Sequence, residues 1–455
     1  MPAVEIHPPD AVMVVLERFW QSGHAAYVVG GSLRDVLLGR EPADWDMATD
    51  ARPEEIVELF PGSTYENRFG TVAVREGGAS HEITTFRSDH EYADFRRPHR
   101  VEFGDRIEVD LARRDFTVNA MAWGADAPER ATALAHEPGL VDPHDGRADI
   151  ERRTLRAVGD PRTRFEEDAL RMVRAVRLAA TLDFGIEAGT LAAIQAKARL
   201  AEHLSGERLA AELDKLLGAV RPSVGLRLMA ATGILGIISP ELAAQRGIAQ
   251  NKIPGDDLWD HTLRTVDAVP AGRPVVRLAA LVHDIGKPAT MVDGHFHGHE
   301  TVGAEIAARL LDRLRTPRAI AERVVLLVRH HMFTYSPSWS DAGVRRFITR
   351  VGRDALDSLF ELREADNVGS GQEPGAHWLD EHRRRVREQL AGDVVLDRGD
   401  LVINGDDLIA ELGLPEGPTL GRILDELLER AISDPAINDR PTLLLLAQSM
   451  LTEDR

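Results

Sequence analysis

The spacing of apolar and polar positions changes near residue 150. Before it, short β-rich runs are mixed with helical periods. Ala25–Val29 (AAYVV) predicts a strand that runs into a helix opening over Ser32–Leu38. Thr71–Val74 and Glu82–Phe86 predict two more strands, turned on Gly77-Gly78. Residues 124–139, rich in Ala, Pro and Glu, read as an irregular surface loop. From about Ile150 onward almost no strand pattern remains. Glu166–Ala180, Thr190–Leu200, Ala304–Leu314 and Leu420–Ala431 carry a 3.6-residue period instead. The expected class is therefore α+β, a head of strands and helices followed by a long all-helical remainder. Arg246–Asp256, with its Pro and Gly, reads as a linker before a histidine-rich region.

A length of 455 residues is too great for a single core and predicts several domains. The net charge of −19 means that the field of the whole chain repels nucleic acid, so any such site must be a local basic patch. The absence of cysteine removes disulfides, thiolate metal sites and thiol nucleophiles. No basic-then-apolar segment opens the chain, and its longest apolar runs, such as Leu443–Ala447, fall far short of a bilayer span. A cytoplasmic protein without membrane partners is expected.

The first chemical signal is Val28-Val29-Gly30-Gly31-Ser32-Leu33-Arg34-Asp35, a strand entering a helix through two glycines. Adjacent glycines let backbone approach a ligand, and Arg34 offers a fork to phosphate oxygens. The spacing matches neither a P-loop nor a dinucleotide fingerprint. Soon after comes Asp44-Trp45-Asp46. On a strand, both carboxylates would face one side and could hold divalent cations for phosphoryl transfer. Glu82, on a later strand, is a candidate third acid. The run GGSLRDVLLGREPADWDMATD resembles the metal-binding signature of the polymerase-beta-like nucleotidyltransferases. More narrowly, it is similar to class II CCA-adding enzymes and bacterial poly(A) polymerases.

Two arginine-bearing segments extend the likeness. Arg113-Arg114-Asp115-Phe116-Thr117-Val118-Asn119-Ala120 resembles the family segment that contacts nucleotide sugar and phosphates, which implicates Arg114, Asp115 and Asn119. Physically, a carboxylate–Asn–Arg group can hydrogen-bond ribose hydroxyls. Residues 85–100 read as a hairpin tip, and the likeness implies a loop used in switching from C to A addition. In Glu166–Arg177, Asp168, Arg171 and Arg174 recur every three residues, so neighbours would share a helix face, with Arg177 drifting to the far side. An Asp/Arg pair can read the amino donor and ring-nitrogen acceptor that C and A share, and reject U and G. The stretch resembles the family motif whose Asp and first Arg template the incoming base. Between Arg147 and Arg177 the charge sums to +3, the place for a local basic patch. Ser205–Leu217 matches the family's neck region.

Seven of the 17 histidines fall within residues 261–331, where even scatter would put about three. His261, His283-Asp284 and Asp366, set among His295, His297, His299, His330 and His331, supply imidazole and carboxylate without thiolate, a donor set for a divalent metal. The pattern resembles the HD phosphohydrolase domain. The likeness implies His261, His283, Asp284 and Asp366 as ligands, a looser second set from His299, His330 and His331, and phosphate contact by Lys287.

The resemblance implies a polymerase-beta-like head over 1–149 with a mixed sheet, a helical neck binding RNA and nucleobase over 150–250, an HD domain over 251–370 and a helical tail over 371–455. In the head, Asp44 and Asp46 would hold Mg2+, while Gly31, Arg34 and Arg114 would hold triphosphate. Asp168 and Arg171 would select the base, with Arg174 and Arg177 in support. The implied reaction adds C, C and A to tRNA from CTP and ATP, with a divalent metal of open identity at the HD site. A poly(A) polymerase, or a metal-dependent phosphohydrolase with an RNA-binding head, are the rival readings. Arg383–Arg385 and Arg387 read as a basic helix face.

Overall fold

Helix α1 (Asp10–Gln21) opens the chain by burying Val12, Val15, Leu16 and Phe19, one stripe at helical spacing. The computed structural model describes residues 6–67, 70–92, 98–127, 138–250, 252–373, 377–392 and 394–453. It divides into two units, Met1–Ala243 and Ala244–Arg455.

The first unit is built on a seven-stranded mixed sheet. Its strands are β1 (Ala26–Val29), β2 (Met47–Thr49), β3 (Thr64–Asn67), β4 (Thr71–Glu76) and β5 (Ala79–Thr85), with two more from further along the chain. Helix α2 (Gly31–Leu37) follows β1, and α3 (Pro53–Leu59) follows β2. A separate hairpin pairs β6 (Arg87–Tyr92) with β7 (Pro98–Phe103), and its tip, 93–97, lies outside the described residues. After α4 (Ile107–Ala112) come β8 (Ala122–Ala125) and β9 (Gly139–Val141). The sheet order is β3-β4-β5-β2-β1-β8-β9, with β2–β5 parallel and the other pairs antiparallel. Strand β1 is buried along its whole length, as its unbroken apolar run requires.

Helices take over thereafter: α5 (Gly146–Glu151), α6 (Pro161–Glu167), α7 (Leu170–Leu182), α8 (Ala188–Lys197), α9 (Gly206–Leu217), α10 (Pro222–Ala231), α11 (Ile234–Ile238) and α12 (Pro240–Ala243). The two-residue strands β10 (Thr154–Leu155) and β11 (Gly185–Ile186) pair in parallel among them, the small exception to the helical expectation.

Three local expectations are corrected. Asp44-Trp45-Asp46 is not strand: β2 begins at Met47, and the Asp46 carbonyl accepts from Val29 N–H at its threshold. The ends of 124–139 are not irregular, because Gly124 pairs with Gly139 in the β8–β9 ladder, and small residues there hid the strand signal. Residues 128–137 lie outside the described residues. Glu166–Ala180 is not one helix. Asp168 breaks it with extended backbone (φ −147°, ψ 106°), and its carboxylate accepts from Leu170 N–H at the start of α7.

The second unit is helical: α13 (Leu258–Ala268), α14 (Pro274–Val282), α15 (Lys287–Thr290), α16 (His299–Arg313), α17 (Arg318–His330), α18 (Asp341–Val351), α19 (Leu356–Gly369), α20 (His377–Ala391), α21 (Gly405–Leu412), α22 (Pro418–Ser433) and α23 (Arg440–Glu453). Helix α13 packs against both α14 and α19, which brings their polar positions together. A second small core, centred on Leu408, Leu427 and Leu443, joins the last three helices. No helix among the described residues is long and apolar enough to cross a membrane.

Candidate functional sites

In the first unit, β1 delivers the chain into α2 through Gly30, whose φ of +80° suits glycine. A Cβ at Gly30 would stand 2.9 Å from Arg114 Nη1, so the turn is also where a guanidinium passes against backbone. Around it opens a cleft of about 550 Å³, lined by Gly31, Arg34, Asp44, Asp46, Arg114 and Asn119, and on its other wall by Asp168, Arg171, Arg174 and Arg177. Gly31, Arg34, Asp44, Asp46, Arg114, Asp115 and Asn119 of the head all reach this one cleft, whereas Glu82 does not line it. Arg177, expected on the far side, reaches it as well. Lys215, not anticipated, joins them.

The acids and bases of the cleft are held in a network. Arg34 donates to both Asp35 oxygens at 2.9 Å and through Nη1 to Asn119 Oδ1 at 2.7 Å. Asn119 Nδ2 donates to Asp115 Oδ1 at 3.2 Å, and Arg174 lies 3.0 Å from Asp115 Oδ2. Burial alone would raise the Asp115 carboxyl, but the Arg174 and Arg171 charges and its hydrogen bonds hold it below the usual carboxylate range. Asp46 goes the other way. Burial, then the Asp44 and Glu82 charges, push it up to about 6 against the pull of Arg114. Glu82 on β5 is thus a third acid beside the pair. Carboxylates of Asp44, Asp46 and Glu82 near one another offer the oxygen donors that suit a divalent cation.

The opposite wall differs from the expected helix face. Asp168 lies before α7, and its Oδ2 accepts from Arg208 Nη2 at 2.7 Å. Arg171 donates to Glu167 and, at 3.0 Å, to the Arg113 carbonyl. Arg177 donates to the buried Glu212 at 2.6 Å. Asp110, buried, accepts from Arg113 and Arg114 together. Sequence reasoning missed Asp110, Arg208 and Glu212. An acid three and four residues before an arginine pair is a readable signal for Asp110. Nothing local marks Arg208 or Glu212, which act across helices. Within the basic stretch 147–177, Arg152 and Arg156 share Asp149, and Arg164 and Arg171 share Glu167, so four guanidiniums rest on two carboxylates and the excess positive charge remains.

The second unit gathers six side chains into two triads, His261–His283–Asp366 and Asp284–His299–His331. All are buried. Asp284 spans them: its Oδ2 lies 3.3 and 3.2 Å from His261 and His283 Nε2, its Oδ1 3.3 and 3.6 Å from His299 and His331 Nε2. His283, His299 and His331 each turn Nδ1 to the carbonyl three residues earlier, at 2.8, 2.7 and 2.7 Å. In those three rings the contact makes Nδ1 the protonated nitrogen and turns the Nε2 lone pair inward, and the facing Nε2 atoms of His299 and His331 stand 3.3 Å apart. Such an arrangement is repulsive by itself and fits metal ions. Burial would raise Asp284, but the imidazole of His283 and the charge of Lys287 beside it hold its carboxyl well below the carboxylate range. His330, expected with the second set, stands apart: its titration is set by burial and by Arg350 and Arg329.

Residues 26–156 match the Poly A polymerase head domain, 183–246 the probable RNA and SrmB-binding site of polymerase A, and 259–402 the HD domain. A CCA-adding enzyme of Geobacillus kaustophilus is 33% identical over 442 residues, 95% of each chain. One from Lactococcus lactis is 33% identical over 449 residues, 96% of each. The crystal structure of the Bacillus stearothermophilus CCA-adding enzyme in complex with CTP superposes with a TM-score of 0.72 at 29% identity, covering 99% of both chains. With a third of its residues shared along nearly its whole length, and the same fold throughout, the chain belongs to the family of CCA-adding enzymes.

Proposed function

We propose that this chain adds C, C and A to the 3′ end of tRNA from CTP and ATP, releasing pyrophosphate. One observation carries the reading: the acids of the Asp44–Asp46 turn, the Gly31–Arg34–Arg114 group and the Asp168–Arg171 pair line one cleft. The tRNA 3′-hydroxyl attacks the α-phosphate, and the bond to the β-phosphate bridging oxygen breaks. Asp44 and Asp46 would hold Mg2+, which would supply charge neutralisation to the transferred phosphoryl group. Arg34 and Arg114 hold the triphosphate, Asp115 and Asn119 the ribose, and Asp168 and Arg171 the base edge, with Arg174 and Arg177 bracing them. In this division 1–149 is the head, 150–250 the neck, 251–370 the HD domain and 371–455 the tail, in a cytoplasmic protein. The relatives' shared name favours CCA addition over poly(A) synthesis.

The test supplies tRNA lacking its terminal CCA with CTP and ATP. Addition should stop after one A, and long A tails would replace this reading with poly(A) synthesis. Asp46→Ala should abolish addition; persistence of addition would refute the metal assignment. A second activity is supported by the two triads. His261, His283, Asp284 and Asp366, extended by His299 and His331, hold divalent cations for phosphate-ester hydrolysis. His283→Ala should remove that metal and leave nucleotide addition intact.

A further inference from the structure

Between Arg313 and Arg353 the chain carries nine arginines and two acids, the reverse of its overall balance of −19. Part of that charge is used inside the second unit. Arg318 pairs with Glu322, Arg346 with Glu429 and Arg353 with Asp400, while Arg345 donates to the carbonyls of Ile432 and Ser433. Arg323, Arg329 and Arg350 have no carboxylate or carbonyl partner among the described residues. Arg329 and Arg350 are exposed, and Arg323 is half-buried. Arg329 on α17 and Arg350 on α18 stand near one imidazole, that of His330. Arg323 precedes His330 by seven residues, so it lies on the same face of α17, two turns or about 10 Å away. Arg329 and Arg350 also sit in the last turns of their helices, where the dipole steadies a cation, so the group holds together without an acid of its own.

The chemistry of the face selects its partner. Cations spread over about 10 Å exceed the reach of a single phosphate group. A protein partner needs an apolar centre, and α17 and α18 expose one large apolar side chain between them, Ile320. A run of phosphodiesters needs none, and exposed guanidiniums in an acidic chain are what neutralises it. We propose that the face formed by Arg323, Arg329 and Arg350 binds the phosphodiester backbone of tRNA at a stretch other than its 3′ end. The proposal rests on the reading that the chain acts on tRNA, and it assigns part of the grip to helices outside the nucleotide cleft.

The test measures binding of tRNA lacking its terminal CCA to the full-length chain by fluorescence anisotropy, over a range of salt concentrations. Replacing the three arginines together (Arg323→Gln, Arg329→Gln, Arg350→Gln) should weaken binding at least about tenfold at ~0.1 M salt. The slope of log affinity against log salt should become shallower by about two to three. In addition assays the KM for tRNA should rise while the KM for CTP holds. Lysine at the same three positions should restore the slope, because the contact is one of charge. Unchanged affinity and slope in the glutamine variant overturn the proposal, and so does a loss that lysine fails to restore, which would make the arginines structural. If the wild type itself neither binds nor extends this tRNA, the underlying reading fails instead.

Discussion

Arg208 on α9 donates to the carboxylate of Asp168 at 2.7 Å, while the other oxygen of that carboxylate accepts from Leu170 N–H. Both oxygens of the proposed base reader are therefore oriented before any nucleotide arrives. Arg208→Ala removes a charge-assisted bond of about 1.5–3 kcal/mol and lets the carboxylate rotate. The expected result is a rise of about tenfold or more in KM for CTP and ATP, with UTP incorporation becoming measurable. Arg208→Lys should fall between. Steady-state addition assays with each nucleotide check this, and unchanged discrimination would remove Arg208 from base selection.

Asp110 is buried beneath Arg113 and Arg114, and their charges hold its carboxyl below the usual range despite its burial. Asp110→Asn leaves two guanidiniums with half their partner. A loss of about 3 kcal/mol is expected, seen as a lowered first-unit transition in thermal melts. Weaker triphosphate binding should accompany it, because Arg114 loses its anchor.

Gly286 sits where α15 meets α16. A Cβ there would stand 2.2 Å from the His299 carbonyl oxygen and 2.5 Å from Gly303 N. Both obstacles are backbone, so no rotamer change relieves the clash. Gly286→Ala should displace α16 and with it His299, and the metal content of the second unit should drop by elemental analysis. Retention of full metal content would show that α16 has room to shift.

The strand-to-helix turn at Gly30, the β4–β5 hairpin and the histidine cluster were legible because each is local: spacing alone encodes them. What failed to show was non-local. Asp168 looked helical because the apolar period of α6 runs in phase with that of α7, and only its own side-chain bond to Leu170 N–H breaks the helix. Strands β8 and β9 are held by pairing with partners far along the chain rather than by their own composition. Arg208, Glu212 and Lys252 are ordinary polar residues in sequence, and packing alone gives them a carboxylate or guanidinium to face. His330 and His331 are adjacent and chemically identical, yet the end of α17 sends only one of them to the cluster.

His382 on α20 is fully buried in an aromatic box, stacked on Tyr335 at 4.5 Å with Phe347 at the same distance and Phe333, Trp339 and Phe360 around it. Neither ring nitrogen has a hydrogen-bond partner. Burial first, and the nearby Arg385 charge second, push its pKa down to about 4. The native state therefore keeps the ring neutral, while the unfolded chain protonates it near its ordinary value of 6.5. Its contribution is fully present above pH 6.5 and is lost as pH falls through 4, amounting to about 3 kcal/mol across that window. His382→Phe keeps an aromatic ring in the box, removes both unpartnered nitrogens and abolishes the titration. Thermal melts at pH 7 and pH 4.5 should show a smaller acid-induced drop in the second-unit transition for the variant than for the wild type. Parallel drops in the two proteins would mean that His382 does not titrate in this window and that the acid sensitivity resides in the metal-site histidines.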